Sequence, residues 1–287
     1  MTVIWSGIGV GAIYALIAIE YNIVFIATGV FNFAQAQLAV SGTFLAYFLG
    51  TTAHLPAFAI VLLSAVGGAG LAVVEEMVAV RPLQGRGAHG ELVTTLGAAV
   101  VLEGAALILW GSQPLQVHFP GPQGVLTVFG GRVLPVSIGL VTCSIFIVIV
   151  LRFIMRRTMI GLACLATAEN RPAAMLRGIN VRVVSLLFFA FAGALAGATG
   201  VLVGPVTFAV YDGGNSLALM GFLALAIGGF GSQGGALLGG MAVGLVQAVS
   251  SRYLSAAYSD IVLFGMLLAL LLTRPQGLFG RAAQRVV

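Results

Sequence analysis

Glu20 and Glu103 stand where an ionised acid is expensive, each well inside a long apolar stretch, with Asn22 just beyond the first and Asn32, Gln35 and Gln37 crowded at the start of the next stretch. At the centre of a spanning helix an ionised carboxylate costs about 2.5 kcal/mol or more, so such a side chain normally faces the bundle interior or a wet cavity. Amides donate and accept hydrogen bonds but carry no fixed charge. These six residues are therefore candidates for a polar path or for bonds between helices. Glu103 has the alternative of a protonated, structural role. Asn32, Gln35 and Gln37 have the alternative of satisfying the backbone of a broken helix at the membrane surface. Asn22 lies two residues from Glu20 and hence on another face of a regular helix. Glu75 and Glu76 close a span just before Arg81, near enough to reach the interface, and read as structural, with Glu76 pairing to Arg81 or Arg86.

Other chemistry is scarce. All thirteen basic residues are Arg, so the chain has neither the lysine of a phosphate-cradling nucleotide loop nor an amine for Schiff-base catalysis. His54, His89 and His118 are scattered, and Cys143 and Cys164 show no metal or redox spacing and read as small packing residues. His-Glu-x-x-His, Gly-x-Ser-x-Gly and paired aspartates at helical spacing do not occur. These gaps argue against an enzyme of the membrane.

The elements that must position these groups follow from composition. Of 287 residues, 60% are hydrophobic and 7% charged, where a soluble domain carries about 25% charged residues; mean hydropathy is +1.12. A bilayer accounts for both. Apolar windows near 3–28, 36–50, 57–80, 93–111, 135–155, 184–204, 217–231, 233–249 and 259–273 predict an all-α polytopic membrane protein of about eight or nine spans, with no cleaved leader. Polar residues near 31 and glycines over 217–249 predict that some spans are broken or re-entrant. Arginines gather at Arg81 and Arg86, around the connection 158–183 (Arg152, Arg156, Arg157, Arg171, Arg177 and Arg182) and after the last span (Arg274, Arg281 and Arg285). Positive charge marks cytoplasmic loops, which puts the C-terminus inside; nine spans place the N-terminus outside and eight place it inside. Small residues four apart (Gly7/Gly11, Gly193/Gly197, Gly200/Gly204, Gly235/Gly239, Gly240/Gly244) suit close helix packing in lipid.

Within 158–183, Asn170 is an N-cap, Pro172 suits a first turn, Ala173 to Leu176 favour helix and Gly178 stops it. The short helix so predicted has an apolar side (Ala174, Met175, Ile179) without a partner in its own loop. It either docks into a groove on another protein or rests on lipid headgroups.

These motifs run the length of the chain: Gly11–Ala18, Gly29-Val-Phe-Asn-Phe-Ala34, Arg81-Pro-Leu-Gln-Gly-Arg86, Thr94-Thr-Leu-Gly97, Asn-x-x-Ala-Ala-x-x-x-Gly-Ile ending at Ile179, Gly228-Gly-Phe-Gly-Ser232 with Gly239-Gly240, and Thr273-Arg-Pro-Gln-Gly-Leu-Phe-Gly280. In their order they resemble the LivH-type permeases of branched-chain amino acid ABC importers. The resemblance implies a single permease domain over 1–287 in a bacterial cytoplasmic membrane. Its partners would be a LivM-like second permease (or a second copy), two cytoplasmic ATP-binding subunits that hold the ATP and Mg²⁺, and an extracytoplasmic solute-binding protein. No cofactor would be bound by this chain, and no nucleic acid partner is implied. It also implies that 167–179 is the coupling helix: Asn170, Pro172 and Gly178 shape it, Glu169 and Arg171 orient it by charge, and Ala173 and Ala174 permit close approach. Asp212 would lie on the outer face, towards the binding protein. Where that family usually follows Asn-Phe-Ala with His-Gly and an acid, this chain has Gln35-Ala-Gln37, which leaves the solute open among branched-chain amino acids, amides, urea and aromatic acids. The rival expectation from composition alone is a secondary transporter or channel; need for cytosolic ATPase partners separates the two.

Overall fold

The computed structural model describes residues 1–83, 88–119, 121–122, 124–128 and 130–280. Arg86, Arg281 and Arg285 lie outside the described residues. In chain order the elements are α1 (Thr2–Thr28), α2 (Gln35–Tyr47), α3 (Ala57–Glu75), α4 (Ala88–Trp110), a hairpin of β1 (Leu126–Val128) and β2 (Gly131–Val133), α5 (Pro135–Arg157), α6 (Met159–Glu169), α7 (Arg171–Leu176), α8 (Val181–Thr207), α9 (Gly213–Gly228), α10 (Gln233–Tyr253) and α11 (Ala256–Thr273). A π turn over Phe48–Thr52 extends α2, and a second over Glu76–Val80 extends α3.

Among the described residues, six helices are long and apolar enough to cross a bilayer: α1, α3 with its extension to Leu83, α4 from Gly90, α5, α8 and α10, at 21 to 27 residues each. At 1.5 Å per residue they reach roughly 30–40 Å. The three remaining stretches that the sequence marks as apolar fall on α2, α9 and α11, which are shorter, so the expected eight or nine spans resolve into six full-length helices and three short ones. The α2 and α9 cases follow from irregular backbone before each, at Gly29–Ala34 and Phe208–Asp212. On α4, Val101, Ile108 and Leu109 stand exposed, as lipid-facing side chains must.

The chain forms two compact units interleaved in sequence, one of Met1–Asn22, Gln123–Leu151 and Leu219–Val287, the other of Ile23–Pro122 and Arg152–Ala218. In the first, α1 lies on α10 along glycine: a Cβ at Gly7 would meet Leu245 Cα at 3.0 Å, and one at Gly11 would meet Met241 Cα at 2.9 Å. In the second, α2, α3 and α8 pack backbone to backbone, with Cβ positions at Gly42 and Gly68 each 2.9 Å from Gly197 Cα. Lipid gives helices no hydrophobic reason to associate, so this close approach of backbones is what holds each unit. All five glycine pairs seen in the sequence lie at such contacts, though Gly204 meets Val117 of a connection instead of another helix.

Candidate functional site

The break between α1 and α2 is built by side chains that stand in for helix. Gly29 at φ +76 ends α1, Thr28 Oγ1 accepts from Val30 N at 3.2 Å, and Asn32 Oδ1 accepts from Ala34 N at 2.9 Å, opening α2. Gln35 Nε2 then donates to Ala192 O of α8 at 3.1 Å, and Gln37 Nε2 to Tyr211 O at 2.8 Å, over a Gly214 that leaves no room for a side chain. Asn32, Gln35 and Gln37 are all buried, and each spends one polar atom on backbone. In hydrocarbon an unsatisfied peptide group costs several kcal/mol, which is why a broken helix needs them.

The acids at the end of α3 differ from the sequence expectation. Glu75 is 6% exposed and Glu76 fully buried, so both are enclosed by protein instead of lying open to solvent. Glu76 does pair with Arg81 (3.1 Å) and accepts from Ser185 Oγ of α8 at 3.3 Å, while Glu75 stands beside Asn32. The cause is packing: α3 approaches α8 backbone to backbone, so the residues that follow are enclosed as well. In the same unit, Glu103 of α4 accepts from Asn215 Nδ2 at 3.2 Å, in the first turn of α9. Glu20 and Asn22 are buried and belong to the other unit, where Asn22 Oδ1 accepts from Gly231 N at 2.8 Å. Gln37 and Glu103 thus meet neighbouring residues of α9, Gly214 and Asn215, within one unit, while Glu20 and Asn22 belong to the other.

Around 158–183 the expected short helix is present as α7. Asn170 Oδ1 accepts from Ala173 N at 3.0 Å, Pro172 occupies the first turn, and Gly178 at φ +82 closes the end, with Ile179 N bonding back to Ala174 O at 3.1 Å. Sequence reasoning missed α6, whose start is signalled by Thr158, a side chain that caps Gly161 N at 3.1 Å. Ala174 is a correction: it is 3% exposed and faces its own chain, whereas Met175 (55%) and Leu176 (90%) project. Glu169 and Ala173 are exposed, and Arg171 lies within electrostatic reach of Glu91 at the start of α4.

Cys164 is buried in α6, a helix too short to span, and burial pushes its thiol up to about 12. The unfolded thiol ionises near 8.5, so between that pH and 12 the folded chain alone keeps its proton and stability falls as pH rises. Since only the thiolate is nucleophilic, native protein at pH 8 is expected to leave Cys164 unmodified by a maleimide that labels it rapidly after unfolding. Labelling at the same rate in both states would contradict the burial.

An apolar helical bundle that spends its polar groups on broken backbone and projects one capped helix beside its arginines is a multi-pass membrane protein of transport type. The chain belongs to the family of permease components of branched-chain amino acid transport systems, whose model matches residues 3–271. It is 32% identical to the high-affinity branched-chain amino acid transport system permease protein LivH of Escherichia coli K12 and 30% identical to the corresponding protein BraD of Pseudomonas aeruginosa, each match covering 96% of this chain and 94% of the relative. A more remote similarity, 28% over 88% of this chain and 70% of the relative, is to the galactofuranose transporter permease protein YtfT of E. coli. No solved structure matches the chain.

Proposed function

We propose that this chain forms the translocation path for branched-chain amino acids, or a related small amphipathic solute, in a bacterial inner-membrane ABC importer. A LivM-like permease or a second copy completes the path, a solute-binding protein delivers the cargo, and two cytoplasmic subunits bind ATP and Mg²⁺. The arginines flanking α7 and following α11 support a cytoplasmic location for both, and so a cytoplasmic C-terminus. Of the path residues, Asn32 and Gln35 are reached by solute only when the bundle opens; Gln37, Glu103, Glu20 and Asn22 are proposed for the same lining.

The observation that carries the reading is α7, a capped helix with Leu176 and Met175 pointing away from its own unit. It is proposed as the coupling helix, with Leu176 as the anchor in the ATPase groove and Glu169 and Arg171 orienting it. Burying a leucine contributes about 1.5–3 kcal/mol, so Leu176→Asp should weaken association with the ATPase subunits by about tenfold or more. The measurement is co-purification from native membranes in mild detergent. Stoichiometric ATPase with the wild type and its loss with Leu176→Asp is the expected result; ion-driven uptake by the chain alone would defeat the reading.

A further inference from the structure

Helix α3 ends in two buried acids that face different neighbours. Consecutive helical residues point about 100° apart; accordingly Glu75 stands beside Asn32 in the break after α1, while Glu76 takes the Ser185 hydroxyl and the Arg81 guanidinium. Ser185 is one turn inside α8, whose capping residue Asn180 follows Gly178, the glycine that ends α7. A short connection thus joins α7 to the helix turn that holds Glu76. A second thread runs from the first residue of α7, Arg171, to Glu91 of α4. Three residues further on, Thr94 Oγ1 donates to Ala79 O at 2.7 Å.

Ala79 lies within the π turn Glu76–Val80, where Arg81 N bonds to Glu76 O, five residues back. Such a turn holds one residue more than an α-helix and is commonly found at functional sites. A switch in this turn needs a second arrangement, in which the extra residue has passed along the helix by reassigning hydrogen bonds. Each residue it passes rotates by one helical step. Movement of the turn past the acid pair carries Glu76 into the direction Glu75 now holds, away from Ser185 and towards Asn32. A coupling claim needs a two-state element that both sites bias, and this segment is bonded to α8 and α4 on one side and borders Asn32 on the other.

We propose that Glu76, clamped by Ser185 and Arg81, is a positioning residue that passes movement of α7 to the Asn32 break, with the π turn as the element that switches. The proposal rests on α7 being the ATPase-docking helix. Glu76 touches neither ATP nor solute; it sets whether hydrolysis is converted into opening of the segment that Asn32 caps.

The test uses the full complex in proteoliposomes, with leucine-loaded binding protein, and reads radiolabelled leucine taken up per phosphate released. Glu76→Gln keeps the shape and an acceptor for Ser185 but loses the charge that holds Arg81. It is expected to lower this ratio by about tenfold, within the range for residues that carry coupling, while co-purification, thermal midpoint and basal phosphate release stay at wild-type values. A merely structural lesion would lower assembly, or uptake and phosphate release together, and leave the ratio. Ser185→Ala should lower the ratio in the same direction, and it decides alone if Glu76→Gln does not assemble. A ratio within about twofold of wild type overturns the proposal. Leu176→Asp, run alongside, separates the two readings. If it still binds ATPase, the docking role of α7 has failed; if it does not, while Glu76→Gln keeps the ratio, only the relay has.

Discussion

Gly197→Val is expected to prevent the chain from accumulating as a folded protein. A Cβ at Gly197 would overlap the carbonyl oxygen of Ser64, and its own Cα already limits the space at Gly42 and Gly68, each with a Cβ position 2.9 Å away. The atoms the new Cβ would meet are α3 backbone, of Ser64 and Ala65, so no side-chain rotation relieves the overlap. Overpacking of a tight core costs about 1–3 kcal/mol and occasionally more. Helices α3 and α8 would have to part, in a protein whose whole margin is of order 5–15 kcal/mol. The measurement is expression and thermal midpoint in mild detergent, against Gly104→Ala, a position with nothing within 4 Å. That control should be neutral or gain up to about 1 kcal/mol from helix propensity. A Gly197→Val protein with an unchanged midpoint would show that α3 and α8 do not meet as described.

Arg81→Ala should be the most damaging loss of a charge. It leaves Glu76, fully buried, with the Ser185 hydroxyl as its one remaining side-chain partner among the described residues. Removing one partner of a buried pair costs 3–5 kcal/mol because the other charge stays behind. The Arg81 side chain is 38% exposed, so solvent screens part of the attraction and the expected loss is about 3 kcal/mol, at the lower end. The diagnostic result is the combination: Arg81→Ala with Glu76→Gln should recover most of that loss, since the stranded charge is gone. A double mutant as unstable as Arg81→Ala would mean that Arg81 acts through its packing and not through Glu76.

The features that depend on neighbours in sequence were readable from residues alone. Asn170, Pro172 and Gly178 announce α7 because caps and stops are local bonds, and the glycine spacings announce helix contacts because i and i+4 share a face. What stayed hidden depends on partners far along the chain. Nothing around Glu103 points to Asn215, and nothing around Glu75 points to Asn32; an acid's partner is set by how helices pack. The same limit explains Ala174, whose inward face is invisible until α6 and α8 flank it. The Glu75–Glu76 pair was visible but its enclosure was not, since hydropathy shows how long a span is and not how much protein surrounds its end.

The close of the chain carries a consequence of its own. After α11, Leu278 N bonds to Ile227 O at 2.9 Å and Phe279 N to Gly228 O at 3.0 Å, so the Arg-Pro-Gln-Gly-Leu-Phe stretch is stitched to the turn between α9 and α10. Those two carbonyls end α9 and lead into the Gly228–Ser232 turn, which Asn22, far away in sequence, also holds through Gly231 N. During synthesis the turn emerges well before residues 278 and 279 and waits for them, while Asn22 is already in place. The unit that begins with α1 therefore keeps these two carbonyls unpaired with residues 278 and 279 until both have been made.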